Sequence, residues 1–169
     1  MLFTEVSIES LMINPFAMLN DEWALLSAGS PEKHNAMTIS WGYMGVMWAK
    51  PVFTVVVRPQ RYTKEFVDAQ DMFAVSFYPA EYRKALEILG SKSGRSCDKI
   101  SESALTPLHA GGTVAFEEAH TIFVCRKLHG GQQLNPEYFV DSSVDQAMYP
   151  DKDYHFYYTG AIVKVLQKK

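Results

Sequence analysis

Apolar and polar positions alternate with short periods along most of this chain, and the longest unbroken apolar run is short. Pro51 to Val57 reads PVFTVVV, rich in β-branched and aromatic residues and halted by Arg58-Pro59, the pattern of a core strand. Upstream, Asn35 to Trp41 (NAMTISW) alternates small polar with apolar side chains, as a half-buried strand does. Trp23 to Ala28 predicts a first strand, and the turn residues Gly29 to His34 return it into the second as a hairpin. Met72–Phe77, Thr113–Phe116, His120–Lys127 and Tyr154–Leu166 predict the remaining strands. Helical spacing is confined to Lys64–Ala69, with Thr63 as its cap, and to the stretch after Pro79. There Tyr82, Ala85, Leu86 and Leu89 share one face and Gly90 is the expected stop. Met1–Asn20 is an opening segment, and loops are expected through Gly42 and Gly45 to Trp48 and over Ser91–Ser103. Some six or seven strands with two or three short helices predict a mainly β barrel, not alternating βαβ units. With no repeat, low-complexity tract or linker, residues 1–169 are expected to form one domain.

If the Asn35 and Pro51 strands pair, Thr38, Ser40, Arg58, Thr63 and Lys64 meet at the start of a helix. Hydroxyls, two cations and helix N-terminal amides make an anion site, most naturally for a phosphate. Trp41 or Tyr62 supplies a ring face beside it, and an aromatic share of 13% leaves rings for a flat ligand. The bland alternative, a surface arginine at a strand end and a plain helix cap, stands beside that reading.

A net charge of −3 with scattered basic residues argues against nucleic-acid binding. The five histidines show neither HxxxH nor HExxH spacing, so no metal site is expected. No GxSxG elbow, Walker loop or post-strand GxGxxG is present, and no acid–base carboxylate pair stands out. A chain without its own catalytic apparatus fits a protein whose cofactor carries the reaction. Cys97 and Cys125 form no CxxC and read as reduced thiols in a cytoplasmic protein, Cys125 as a buried structural residue. Neither a signal peptide nor a membrane span is expected.

NAMTISW, a buried strand and then RPQRYTKEF resemble the flavin reductase-like proteins that bind FMN on a split β-barrel. The likeness continues in LGSKSGR (89–95) with Asp98-Lys99, in HTIFVCRKL (120–128), and in Tyr149-Pro150 and Asp153–His155. It implies an antiparallel, Greek-key-like split barrel with short peripheral helices. It also implies a flavin site from Asn35, Ala36, Met37, Thr38, Ser40, Trp41, Arg58, Tyr62, Thr63, Lys64, Ser93 and Gly94. Arg95 and His155 are its candidates to face the flavin or an incoming nicotinamide, and no catalytic residue is named because the flavin carries the chemistry. His120 reads as structural. Departures at His129–Gln133 and Tyr157–Ala161 leave substrate choice open.

By this resemblance the chain is an oxidoreductase passing electrons from NAD(P)H through FMN to free flavin or a redox protein. The alternatives are a flavoredoxin-type carrier reduced by a protein partner, and a non-enzymatic flavin- or haem-binding module. Two-fold dimers are the family habit, and the apolar N-terminal segment with Tyr43–Trp48 suits such an interface.

Overall fold

The computed structural model describes residues 2–169 as ten strands and short helices. Strands β2 (Ala24–Gly29), β3 (His34–Ile39), β4 (Gly42–Met47), β5 (Lys50–Val57), β6 (Met72–Phe77), β9 (Thr121–Gln133) and β10 (Phe156–Lys168) form one antiparallel sheet in the order β3-β2-β6-β9-β10-β5-β4. A further strand, β1 (Phe3–Val6), pairs with the far end of β10. Neighbours that are not consecutive, such as β2 beside β6, make the layout Greek-key-like, and the ends β3 and β4 are not paired to each other. The sheet is therefore a split barrel, as expected, open along a seam.

Period-two alternation explains why several strands read as continuous apolar runs. Leu26 of β2, Phe73, Val75 and Phe77 of β6, and Phe123 and Cys125 of β9 fill the interior with Phe53 and Val55 of β5. The alternate residues Leu25, Ala74, Ile122 and Val124 face outward and are equally buried. Helix α3 (Arg83–Ser91), through Leu86 and Leu89, and the hairpin of β7 (Pro107–Ala110) and β8 (Thr113–Phe116) cover them. Strands buried on both faces lose the alternation that a one-sided sheet shows. Near the middle of β10, a Cβ on Gly160 would lie 2.7 Å from the Phe73 ring and 2.8 Å from Cys125 Cβ, so only glycine passes there.

Several expectations are corrected. Gly42–Met47 is not a loop but strand β4, paired to β5 along its length. Its hairpin turn places Trp48 (φ 52°) and Ala49 (φ 54°) in the left-handed region that two-residue hairpins require. Strand β9 runs on to Gln133 through bulges against β10. The opening segment holds β1 and a short helix, α1 (Pro15–Ala17), that continues as a wider π turn over Met18–Glu22. The expected loop after α3 contains helix α4 (Lys99–Ser103), capped by Asp98. Gly90 lies inside α3, not beyond it. Its missing Cβ would sit 3.2 Å from Thr38 Cβ, so the glycine marks close packing of helix on strand. Helix α2 is Thr63–Ala69, and α5 (Ser142–Met148) lies between β9 and β10.

Candidate functional site

The seam opens into a cleft of about 220 Å³ where β3 faces the end of β5. Met37, Thr38, Ile39, Ser40 and Trp41 form one wall, Val56 and Arg58 the other, with Arg61, Gly90 of α3 and His155 closing it. The predicted meeting of the Asn35 and Pro51 stretches is thus realised without direct pairing. β3 pairs with β2 and β5 with β4 and β10, and the curl of the sheet brings the two together.

The cations divide differently from expectation. Arg58 ion-pairs with Asp153, donates to the Met148 carbonyl at 2.9 Å, and stacks 5.2 Å from the Tyr149 ring centre. Its charge is spent on that pair. Gln60 and Arg58 together hold the Asp153 carboxyl below the usual carboxylate range. Lys64 lies outside the cleft, paired with Asp68 at 2.7 Å and poised 4.0 Å over the Phe156 ring. Arg61 lines the cleft, and its guanidinium donates to the Gly90 carbonyl at 2.6 Å. It has no carboxylate partner among the described residues, and burial lowers its pKa. Of the two cations lining the cleft, Arg61 is the one without a carboxylate partner among the described residues; it sits in RPQRYT but is not among the expected ligands. A guanidinium two residues ahead of a threonine gives no sequence sign of which anion it lacks.

The helix start is not the free amide cluster that was expected. Arg61, Lys64 and Glu65 amides donate to the Arg58, Arg61 and Tyr62 carbonyls. Tyr62, not Thr63, occupies the cap position, and no side chain caps the helix. Thr63 is buried, its hydroxyl accepting from Asn35 Nδ2 at 2.9 Å, which ties β3 to α2. Asn35, Tyr62, Gly94 and Arg95 line a different cavity, of about 590 Å³. Ala36 is buried in the outer core. The Ser93 hydroxyl accepts from the Arg95 amide at 3.3 Å within its own turn. Arg95 pairs with Glu65, donates to the Gln60 carbonyl and lies 4.9 Å from the Tyr62 ring, bracing the 60–65 segment.

Hydroxyls and rings complete the cleft. Thr38 donates to the Leu86 carbonyl, leaving its oxygen able to accept, while the Ser40 hydroxyl makes no hydrogen bond among the described residues. Trp41, 43% exposed, stands 5.3 Å from His155 at a 45° tilt. The Tyr149 hydroxyl lies 2.9 Å from His155 Nδ1. Burial, with Arg58 nearby, pushes His155 down to about 4, so the imidazole is neutral at pH 7. Ser40 and Trp41 also line a groove of about 790 Å³ between α1 with its π turn and the start of β4. Phe16, Tyr43 and Met44 line this groove, and Asp21 is its one ionisable carboxylate or cation apart from tyrosine. His120 lies 3.3 Å from a Glu22 carboxylate oxygen and is not part of the cleft lining. Both thiols are free, and burial raises the Cys125 thiol pKa. Among the described residues no cluster of ligating side chains fits a metal, and no helix is long and apolar enough to cross a membrane.

The profile of the flavin reductase like domain matches residues 19–167. No curated protein sequence is matched. The fold is similar to that of an FMN-binding domain of a flavin reductase-like enzyme from Shewanella baltica OS155. There the TM-score is 0.70 and the identity 16%, over 98% of this chain and 77% of that one. Flavoredoxin from Methanosarcina acetivorans is similar with TM-score 0.68 and 20% identity, over 88% and 69% of the two chains. An NADH:FAD oxidoreductase from Streptomyces globisporus C-1027 gives TM-score 0.63 and 16% identity, over 86% and 74%.

Proposed function

Because this chain belongs to the flavin reductase-like domain family, we propose that it binds FMN in the seam and works as an NAD(P)H-dependent oxidoreductase. The observation that carries the placement is Arg61, a partly buried guanidinium in the cleft without a carboxylate partner. Desolvating such a charge is costly unless an anion answers it. A flavin phosphate supplies that anion, with the Thr38 and Ser40 hydroxyls beside it. The cleft of about 220 Å³ is too small for a whole flavin mononucleotide, and the groove sharing Ser40 and Trp41 takes the remainder. Trp41 gives a flat apolar face, and neutral His155 keeps a second positive charge away from the ring. Bound FMN supplies the redox chemistry by taking up and giving up hydride or single electrons. The protein binds, orients and screens it from water.

The groove also bears on the electron donor. It lacks any lysine or arginine, so the pyrophosphate of a nicotinamide dinucleotide finds no cation there. That favours, as a second reading, a flavoredoxin-type carrier reduced by a redox protein. The acceptor in either case is a free flavin or a protein. Aerobic NADH and NADPH oxidation by FMN-loaded protein separates the two. Turnover with either nucleotide supports the reductase, and reduction by a redox protein alone supports the carrier.

The placement is tested by titrating FMN and riboflavin into wild type and Arg61→Ala. A charge-assisted phosphate contact is worth about 1.5–3 kcal/mol, so FMN affinity should fall roughly tenfold to a hundredfold. Riboflavin, lacking the phosphate, should lose little. Equal weakening of both would remove the phosphate from Arg61.

A further inference from the structure

His155 joins the cleft wall immediately before β10, and its ring is held from behind by Tyr149, which follows the last residue of α5. The Tyr149 hydroxyl lies 2.9 Å from His155 Nδ1 in a buried contact, and it makes no other hydrogen bond among the described residues. Both residues are anchored through their backbones. The Tyr149 amide donates to the Asp145 carbonyl at 2.9 Å, and the His155 carbonyl accepts from the Leu134 amide at 2.8 Å. The Tyr149 ring is fixed as well, 4.9 Å from the Tyr154 ring and 5.2 Å from the Arg58 guanidinium.

Hydrogen-bond accounting bears on which nitrogen of this imidazole carries the proton. Burial raises the Tyr149 phenol above its ordinary range, so it keeps its proton, and His155 is neutral at pH 7. A neutral imidazole has one N–H and one bare nitrogen. Were Nδ1 to hold the hydrogen, the phenol would accept it and leave its own proton buried without an acceptor, which is costly. With Nδ1 bare, the phenol donates to it, both groups are satisfied, and the ring hydrogen sits on Nε2. Nε2 has no protein partner among the described residues. It is not one of the buried polar atoms shut away without a partner either, so it opens on the cleft that His155 lines. The Trp41 ring, 5.3 Å away, flanks the same space.

We propose that Tyr149 is a positioning residue, which holds His155 with its hydrogen on Nε2 and presents that N–H to the cleft as a donor to a carbonyl oxygen or bare ring nitrogen of the bound heterocycle. The inference rests on the cleft holding a flavin, as argued above. An N–H there selects rings that present an acceptor and rejects those that present a donor or a C–H, which leave it unanswered.

The first readout needs no ligand. Proton–nitrogen correlation spectra of protein with nitrogen-labelled histidine at pH 7, with His155 assigned by the loss of its signals in His155→Gln, should show hydrogen on Nε2 and a bare Nδ1. Hydrogen on Nδ1 overturns the proposal. In Tyr149→Phe, which keeps the ring against Arg58, Nδ1 loses its donor and both tautomers should be populated. A merely structural tyrosine would leave the tautomer as it was. The second readout is affinity, by flavin fluorescence quenching. One neutral hydrogen bond corresponds to a roughly twofold to tenfold effect, so Tyr149→Phe should weaken FMN and riboflavin alike by that factor. In a His155→Phe background the same substitution should weaken neither, because its path to the ligand is gone. Equal loss in both backgrounds, loss confined to FMN, or no loss at all overturns the proposal. Should Tyr149→Phe fail to fold, the wild-type tautomer and the affinity lost in His155→Phe decide. Failure of the wild type to bind either flavin is a distinct result, which overturns the cleft reading and this proposal together, whereas hydrogen on Nδ1 in protein that binds both flavins overturns this proposal alone.

Discussion

Arg58 and Arg61 sit three residues apart in one motif and line one cleft, yet the fold gives them different partners. The sequence favours Arg58, because it leaves a buried strand and precedes a stiffening proline. What decides the matter is Asp153, distant along the chain and brought to Arg58 only by β10 pairing with β5. A partner so far away in sequence leaves no local trace. Arg58→Ala should therefore not act as a phosphate mutation. It leaves the Asp153 carboxylate without its cation, held by Gln60 alone, and frees the Met148 carbonyl, so it should cost about 1–3 kcal/mol of stability and weaken FMN and riboflavin alike. Chemical denaturation and the two flavin titrations check this, and loss of FMN affinity alone would restore Arg58 as the phosphate ligand. His155 carries a second prediction at this scale. Its folded value, about 4, lies below the ordinary 6.5, so on acidification the unfolded chain takes up the proton first. The stability it contributes is complete above pH 6.5 and is lost as the pH falls toward 4, up to about 3 kcal/mol. The drop in urea midpoint between pH 7 and 4.5 should be smaller in His155→Gln. Depressed carboxylates such as Asp68 and Asp153 lose stability in both proteins and set the common background.

At the level of elements, the strands most legible in the sequence were those whose composition alone forced burial, such as Pro51–Val57 and Met72–Phe77. The pattern of β4 reads as a loop because Gly42 and Gly45 interrupt its period and, Met44 apart, its other residues are exposed. An edge strand gains its definition from one neighbour's hydrogen bonds, here those of β5, and not from its own pattern. Helix α4 was missed for a similar reason. It is five residues long, polar, and held by the Asp98 cap and the buried Lys99 stem. Gly160 shows the opposite case, a residue flagged as peculiar to this chain that the packing explains. Gly160→Ala forces a methyl into the Phe73 ring and Cys125, and overpacking of that kind costs about 1–3 kcal/mol. A lower urea midpoint at unchanged slope is the expected outcome. An unchanged midpoint would mean that β10 can move off β6 and β9 freely, contrary to a core closed on both faces.

For the molecule as a whole, a mainly β barrel is legible because strand count, period and short helices agree on it, while its split form comes from the family resemblance and the seam is not legible at all. Nothing in NAMTISW shows that β3 ends the sheet, or that its open side becomes a cleft wall. The other end of the sheet, β4, poses the remaining question. Its outer edge is unpaired, and along it Val46 is 80% exposed, Trp48 53% and Met47 50%, with Tyr43 beside the groove. A bare apolar edge strand in a free monomer invites indiscriminate pairing. We propose that a second copy of this chain, related by a two-fold axis, covers it. We therefore expect wild-type protein to sediment at micromolar concentration as a dimer of 19.1 kDa chains. Val46→Glu, which alters a side chain remote from the cleft lining, should shift it to monomer. If the partner completes the groove, FMN affinity should fall as the dimer is lost, and riboflavin affinity should fall by the same factor because Arg61 is untouched. A wild type that remains monomeric while binding FMN tightly would show that one chain suffices, and that the exposed β4 edge serves some contact other than self-association.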